Sequence, residues 1–200
     1  MFTKFNKSKN IIIEFIEGKK LMETNQQTVQ GMFTEEARFQ SYLEVEAALA
    51  RAQAKLGVIP SSAAAVISEK ANLNLLKLGN IHDGLAKTGH PLVPLIWELD
   101  RVCGPEAGGY IHWGATTQNI TQTGKLLIVR KCHQIFLSQI AELLKILRKL
   151  AIETKDYVMP GRTHGQHAVP ITFGFAVASF VARLDDVLPR ILDAAAGLPG

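Results

Sequence analysis

Apolar positions recur at three- and four-residue steps through most of the chain, and the steps predict a series of helices. The first opens after Thr34, which suits an N-cap, with Glu35 and Glu36 at the positive end of the helix dipole. Phe39, Leu43, Glu46, Ala47, Ala50 and Ala54 follow on one face, Gly57 supplies a stop and Pro60 lies beyond it. Residues 61–87 read as two shorter helices, the first capped by Ser61 or Ser62, with a break around Gly79-Asn80 before the second. Pro91 can open another helix that runs to Val102 and ends at Gly104, and Pro94 still falls in its first turn. One long helix is expected from about Ile120 to Lys155, with a stripe of Ile128, Cys132, Phe136, Ile140, Leu143, Leu147 and Leu150. At 1.5 Å per residue it extends about 50 Å, which suits a long bundle. A last helix runs from Ile171 to about Ala196. Its segment from Phe173 to Ala182 is apolar on nearly all sides, more than a chain of this length can surround, and Pro189 should kink or end it. Residues 1–31 carry no sustained period and read as a weakly ordered arm, in which Met22 could be an alternative start. No stretch reads as a strand, and there are no repeats. The fold class is all-α.

Two polar, glycine-punctuated loops interrupt this pattern. Gly104 to Ile120 offers His112, Thr116, Thr117, Gln118 and Asn119 at the entrance to the long helix. Hydroxyl and amide side chains beside free backbone N–H groups at a helix start can cradle a carboxylate or phosphate. Capping by Thr117, Asn119 or Thr121 accounts for one such residue, not for four in a row. The loop over 156–170 contains Gly161-Arg162-Thr163-His164-Gly165-Gln166-His167, titratable side chains placed between two rigid helices. A solvated turn with incidental histidines is the plainer reading of that loop; a second loop of the same character weighs against it. His90 stands just before a helix N-terminus, where anions are favoured.

Composition narrows the class. The chain has 200 residues, of which 47% are hydrophobic and 20% charged, enough for a core and too apolar for disorder. The formal charge of +4 is compatible with anionic ligands and equally with an unremarkable basic surface. No Lys/Arg cluster alternates with aromatics, so nucleic acid is not an expected partner. Cys103 and Cys132 fit no metal-ligand spacing and suggest a reducing compartment. The run Ile11-Ile12-Ile13-Glu14-Phe15-Ile16 is too short to span a membrane and lacks a signal-peptide cleavage site. A cytoplasmic protein without metal, cofactor or membrane partner is expected.

Three segments carry a resemblance to the aspartase/fumarase lyase superfamily, in the branch holding adenylosuccinate lyase and 3-carboxy-cis,cis-muconate cycloisomerase. Met32 to Ala50, with Leu56-Gly57-Val58-Ile59-Pro60 beyond, looks like the family's first long helix. Tyr110 to Gly124 looks like its first signature loop, and Met159 to Gly174 like its second. The resemblance implies an N-terminal helical domain, here residues 32–112, followed by a central helix bundle, here the incomplete 113–200. It also implies a homotetramer whose active sites combine loops from different subunits, and β-elimination beside a carboxylate with release of fumarate. The implied substrate is a small anionic di- or tricarboxylate.

Carried over by position, His164 corresponds to the general acid of adenylosuccinate lyases and His90 to a second active-site histidine that supports it. His112, Thr116, Thr117 and Gln118 correspond to first-loop residues that hold the substrate's carboxylate or phosphate. Thr163 and Gln166 correspond to second-loop substrate contacts, and His167 is read as structural. The family's base, a serine in a Gly-Ser-Ser-x-Met-Pro-like segment, has no counterpart among the 200 residues. The chain therefore reads as an N-terminal part that cannot turn over substrate alone. Asn119 and Pro91 stand where adenylosuccinate lyases carry aspartates, while Gly89-x-Pro91, Pro94-Leu95 and Thr123-Gly124 resemble the cycloisomerase. The expected activity is C–N elimination from a succinyl-amine. A cycloisomerase-like enzyme and a non-catalytic structural relative are the alternatives.

Overall fold

The computed structural model describes residues 29–197. The expected N-terminal arm lies outside the described residues up to position 28, and its last residues enter a 3-10 turn, Val29–Phe33, that buries Met32. Six α-helices and one β-hairpin follow: α1 (Glu35–Lys55), α2 (Ser61–Lys70), α3 (Leu78–Thr88), α4 (Leu92–Cys103), α5 (Thr117–Glu153), β1 (Val158–Thr163), β2 (Gln166–Thr172) and α6 (Phe173–Ala196). The fold is all-α apart from the hairpin. The described residues form two compact units that divide within α5, between Cys132 and His133.

In the first unit the helix signals act largely as the sequence implies. The Thr34 side chain accepts from the Ala37 N–H, and Glu35 and Glu36 fill the first turn of α1. Gly57 adopts φ 71°, and the Val58 N–H reaches back to the Gln53 carbonyl at 2.9 Å, closing a Schellman-type end. Two local expectations fail. Pro60 rather than a serine precedes the first residue of α2, and no side chain caps that helix. Gly79 and Asn80 lie inside α3, and the break falls earlier, at a 3-10 turn over Leu73–Leu75 held by the Asn72 side chain. An Asx-type turn needs no glycine, so the glycine drew attention to the wrong place. The core of this unit gathers Phe39, Leu43, Ile67, Ile81, Leu92, Leu95 and Leu99 from four helices. Small residues set its close approaches. A Cβ on Gly84 would come 2.6 Å from Pro94, and one on Gly124 of α5 would come 2.6 Å from the Tyr42 ring.

In the second unit α5 packs against α6 through Leu137, Leu144, Val181 and Leu188. The expected stripe holds at Ile140 and Leu147, which pack at this contact, but slips by one residue at Phe136 and Leu143: both are exposed, while Leu137 and Leu144 are buried. The buried line jumps from Cys132 to Leu137 because the partner changes. Cys132 meets Met32 in the first unit, with sulfurs 3.5 Å apart, whereas the later turns meet α6. One residue of offset rotates the face by about 100°. Arg148 donates to Asp185 at 2.7 Å, and the His133 ring meets the Ile191 carbonyl at 2.9 Å. Pro189 does not end α6. Leu188 and Ile191 stay packed on either side of it, enough to carry the helix past the missing N–H.

The expectation of no strands is overturned between Val158 and Thr172, where β1 and β2 pair antiparallel. Pro160 faces Pro170, Arg162 faces His167 and Thr163 faces Gln166, with a register shift after Pro160. Prolines remove ladder donors and argue against strands from sequence. Here both sit in one two-stranded ribbon, paired with each other, where no further strand calls for the N–H that each lacks. Gly161 fits the bulge closely: a Cβ there would lie 2.7 Å from the Val169 carbonyl oxygen.

Candidate functional site

The sequence-selected residues fall on both units. On the second, Thr163, His164 and Gln166 share the hairpin tip, all exposed. Thr163 and Gln166 pair across the ribbon, which leaves His164 and Gly165 as a two-residue loop with φ 48° and 76°. Positive φ at both positions marks a type I′ turn, whose twist matches the flanking strands. Histidine is among the few residues enriched in that region, so the turn displays the imidazole at its apex. His167 faces Arg162 one step back from the tip.

On the first unit, Thr116, Thr117 and Gln118 stand where the loop enters α5. Asn119 closes this entrance: its side chain accepts from the Thr116 N–H at 3.3 Å, and its own N–H donates to the Thr116 carbonyl at 3.0 Å. The capping role thus belongs to Asn119, which leaves the hydroxyls of Thr116 and Thr117 and the Gln118 amide outside that reciprocal pair. Thr116 and Gln118 are exposed and Thr117 half-buried. His90 precedes α4. Its Nδ1 accepts from the Leu92 N–H at 3.3 Å, and its own N–H donates to the Thr88 hydroxyl at 3.2 Å. One of the N–H groups expected to favour an anion is therefore taken by the histidine itself. With Nδ1 an acceptor, a neutral ring carries its proton on Nε2, a donor suited to an anion.

His112 is held differently. Its backbone takes φ 59°, and its Nδ1 lies 2.7 Å from Oε1 of Glu46 on α1. The Glu46 side chain is 1% exposed. Burial pushes its carboxyl up from the ordinary range, and the hydrogen bond and charge of the His112 ring pull it back. Sequence reading placed Glu46 in the helix stripe without giving it a role. The available signal was a carboxylate at a core-facing step between Leu43 and Ala50. Trp113, 52% exposed, stacks at a tilt on Tyr110 with ring centroids 6.2 Å apart, and its carbonyl accepts from Gln53 at 2.6 Å. Among the described residues no cluster of His, Cys, Asp or Glu could hold a metal ion. Cys103, half-buried beside Asp100, has its thiol pushed up to about 11 by burial first and that carboxylate second, which leaves it a poor nucleophile.

Fold and site together define an all-α protein whose polar chemistry sits on short connections between long helices. A family model described as lyase matches residues 21–198, and the chain belongs to that family, within the aspartase/fumarase superfamily. It is 40% identical over 166 residues to adenylosuccinate lyase of Methanocaldococcus jannaschii, covering 83% of this chain and 36% of the relative. It is 36% identical to N-acetyl-S-(2-succino)cysteine lyase of Dickeya dadantii, covering 82% and 37%. It is 35% identical to 3-carboxy-cis,cis-muconate cycloisomerase of Pseudomonas putida, covering 78% and 38%. The crystal structure of a fumarate lyase from Mesorhizobium sp. BNC1 superposes with a TM-score of 0.78 at 38% identity, over 82% of this chain and 39% of that one. The chain thus spans little more than a third of the length of these relatives.

Proposed function

We propose that the chain is the N-terminal part of a lyase that eliminates an amine from a succinyl-amine substrate and releases fumarate. In the elimination a base removes the Cβ proton, the C–H electron pair becomes the new C=C bond, and the C–N bond breaks as the nitrogen takes a proton. His164 is the proton donor and His90 its support. His112, Thr116, Thr117, Gln118, Thr163 and Gln166 hold the carboxylates that delocalise the intermediate's charge. The supporting observation is the display of His164 at the apex of a two-residue turn, between Thr163 and Gln166, in a chain of this family. A neutral-pH proton donor on a rigid tip can enter a site completed by other chain segments. The base is a serine supplied from outside these 200 residues, and the isolated chain is inactive. The assembled enzyme is a cytoplasmic homotetramer without cofactor that binds neither membrane nor nucleic acid. Among the described residues no helix is long and apolar enough to cross a membrane.

The test is His164→Asn in the uninterrupted gene product. Asparagine also tolerates positive φ, so the turn survives while the proton donor goes. Fumarate release should fall by 10²-fold or more, about the reach of general acid catalysis, with circular dichroism unchanged. Unchanged turnover refutes the acid role. Two further readings have specific support. The Dickeya relative's name implies a sulfur leaving group, and the Pseudomonas relative's name a cycloisomerisation. Parallel assays with adenylosuccinate, a succinylated thiol and 3-carboxymuconate separate the three.

A further inference from the structure

Glu46 is the least expected polar group in the first unit. It lies among Leu43, Ala47 and Ala50 on the core face of α1, 2% exposed overall. A carboxylate at such a position costs several kcal/mol unless it is well partnered. Yet it is only half partnered: Oε1 holds the His112 ring, while Oε2 is buried with no hydrogen-bond partner. Seven residues on, two helical turns along the same face, Gln53 repeats the pattern. Its Nε2 donates to the Trp113 carbonyl at 2.6 Å, and its Oε1 is buried without a partner. Two α1 side chains thus grip consecutive loop residues, one by the ring and one by the backbone. His112 is held between them in a left-handed conformation, with Gly114 at φ 66° just beyond. Securing the loop alone would not require a carboxylate, since an amide serves at Gln53.

We infer that Glu46 is a positioning residue for His112: its carboxylate keeps a proton on Nδ1, fixes the ring, and leaves Nε2 as the nitrogen offered to the substrate. The choice of ring nitrogen is set by what holds the other one. A substrate carboxylate is met once Nε2 also carries a proton, and Glu46 is then the counter-charge to the imidazolium, on the side away from the ligand. The substrate half of this statement rests on the proposed role of His112; the tautomer half does not.

The experiment uses the 200-residue chain labelled with 15N-histidine and long-range 1H–15N correlation of the ring nitrogens. The expected result is an Nδ1 protonated in the native chain, with the neutral ring of Glu46→Ala shifting its proton to Nε2, the form favoured in water. A native ring with its proton on Nε2 alone, or a Glu46→Ala spectrum identical to the native one, overturns the inference. Where Glu46→Ala loses its helical circular dichroism, Glu46→Gln replaces it. That side chain keeps the shape and can still accept from Nδ1, but only with a neutral amide oxygen, so the Nδ1 proton resonance must move upfield as the charge-assisted hydrogen bond is lost. An unchanged resonance overturns the inference too. Succinate added to the uninterrupted gene product carrying the same label, in which the proposed site is complete, separates the two readings. Shifts at His112 that need about tenfold more succinate in Glu46→Gln support both. In that complete product, the expected tautomer with no response to succinate refutes the substrate role of His112 and leaves the positioning by Glu46 standing.

Discussion

At the scale of single residues, the two buried carboxylates of the first unit show opposite electrostatics. Glu46 is raised by burial, whereas Glu98 is held down at about 2, first by its hydrogen bond from Arg101, then by those from Asn80 and the Lys77 N–H, against burial. Glu98 receives the Lys77 N–H at 3.0 Å and the Asn80 amide at 2.7 Å, so it caps α3 from α4 while pairing with Arg101 at 2.7 Å. Because the folded carboxyl titrates below its usual 4.5, its stabilisation is fully present above that value and fades as the pH falls toward about 2. The shift corresponds to at most about 3 kcal/mol, reduced by the 43% exposure of the Arg101 side chain. Glu98→Ala should therefore lower stability at neutral pH by about 2 kcal/mol and flatten its decline between pH 4.5 and 2, as read by urea unfolding at several pH values. An unaltered decline would assign it to other groups. Neither role was legible in the sequence. A glutamate at a stripe position looks the same whether it caps a helix, orients a histidine or faces water.

At the scale of elements, helices and strands differed in legibility for physical reasons. The apolar period located α1, α4, α5 and α6, because a helix buries one face regardless of its partner. Beyond Cys132 it places Ile140 and Leu147 correctly but takes Phe136 and Leu143 for their neighbours Leu137 and Leu144, because the width and centre of the buried face depend on which partner is present. The hairpin was hidden by Pro160 and Pro170, although His164-Gly165 between alternating residues is a I′ turn signal once histidine is counted among residues that tolerate positive φ. The turn makes a direct prediction. His164→Val places a β-branched residue at φ 48° and should weaken the ribbon by about 1–2 kcal/mol, while His164→Asn leaves it intact. Hydrogen exchange of the ladder amides from Val158 to Thr172 compares the two, and equal protection would contradict the turn assignment. A second prediction concerns the contact of α5 with α1. Gly124→Ala gains about 1 kcal/mol of helix propensity but drives a Cβ to 2.6 Å from the buried Tyr42 ring. Overpacking typically costs about 1–3 kcal/mol, so the net effect should be a lower thermal midpoint. A raised midpoint would mean that α1 yields without cost.

At the scale of the whole molecule, the sequence posed a burial problem that the fold leaves open. The segment of α6 from Phe173 to Ala182 is apolar on nearly all sides, yet among the described residues the large side chains that α6 buries lie along the line through Val177, Val181 and Leu188. Phe175 is 65% exposed and Phe180 59%, and Phe136, Leu143, Ile146 and Ile152 of α5 are uncovered as well. An apolar surface of this kind on one pair of helices favours association over solvent. The proposed tetramer would cover it. Phe175→Asp with Phe180→Asp changes nothing in the α5–α6 core, so helical circular dichroism should persist. Association should be lost, with sedimentation equilibrium falling from a multiple of the 21.9 kDa chain mass to that mass itself. Burying two phenylalanines per chain is worth about 3–6 kcal/mol, enough to shift a dissociation constant by two orders of magnitude or more. A native chain that sediments at 21.9 kDa across the micromolar range would show that this face is not where copies meet. The bundle that the family implies would then have to be closed by other chain segments instead of other subunits.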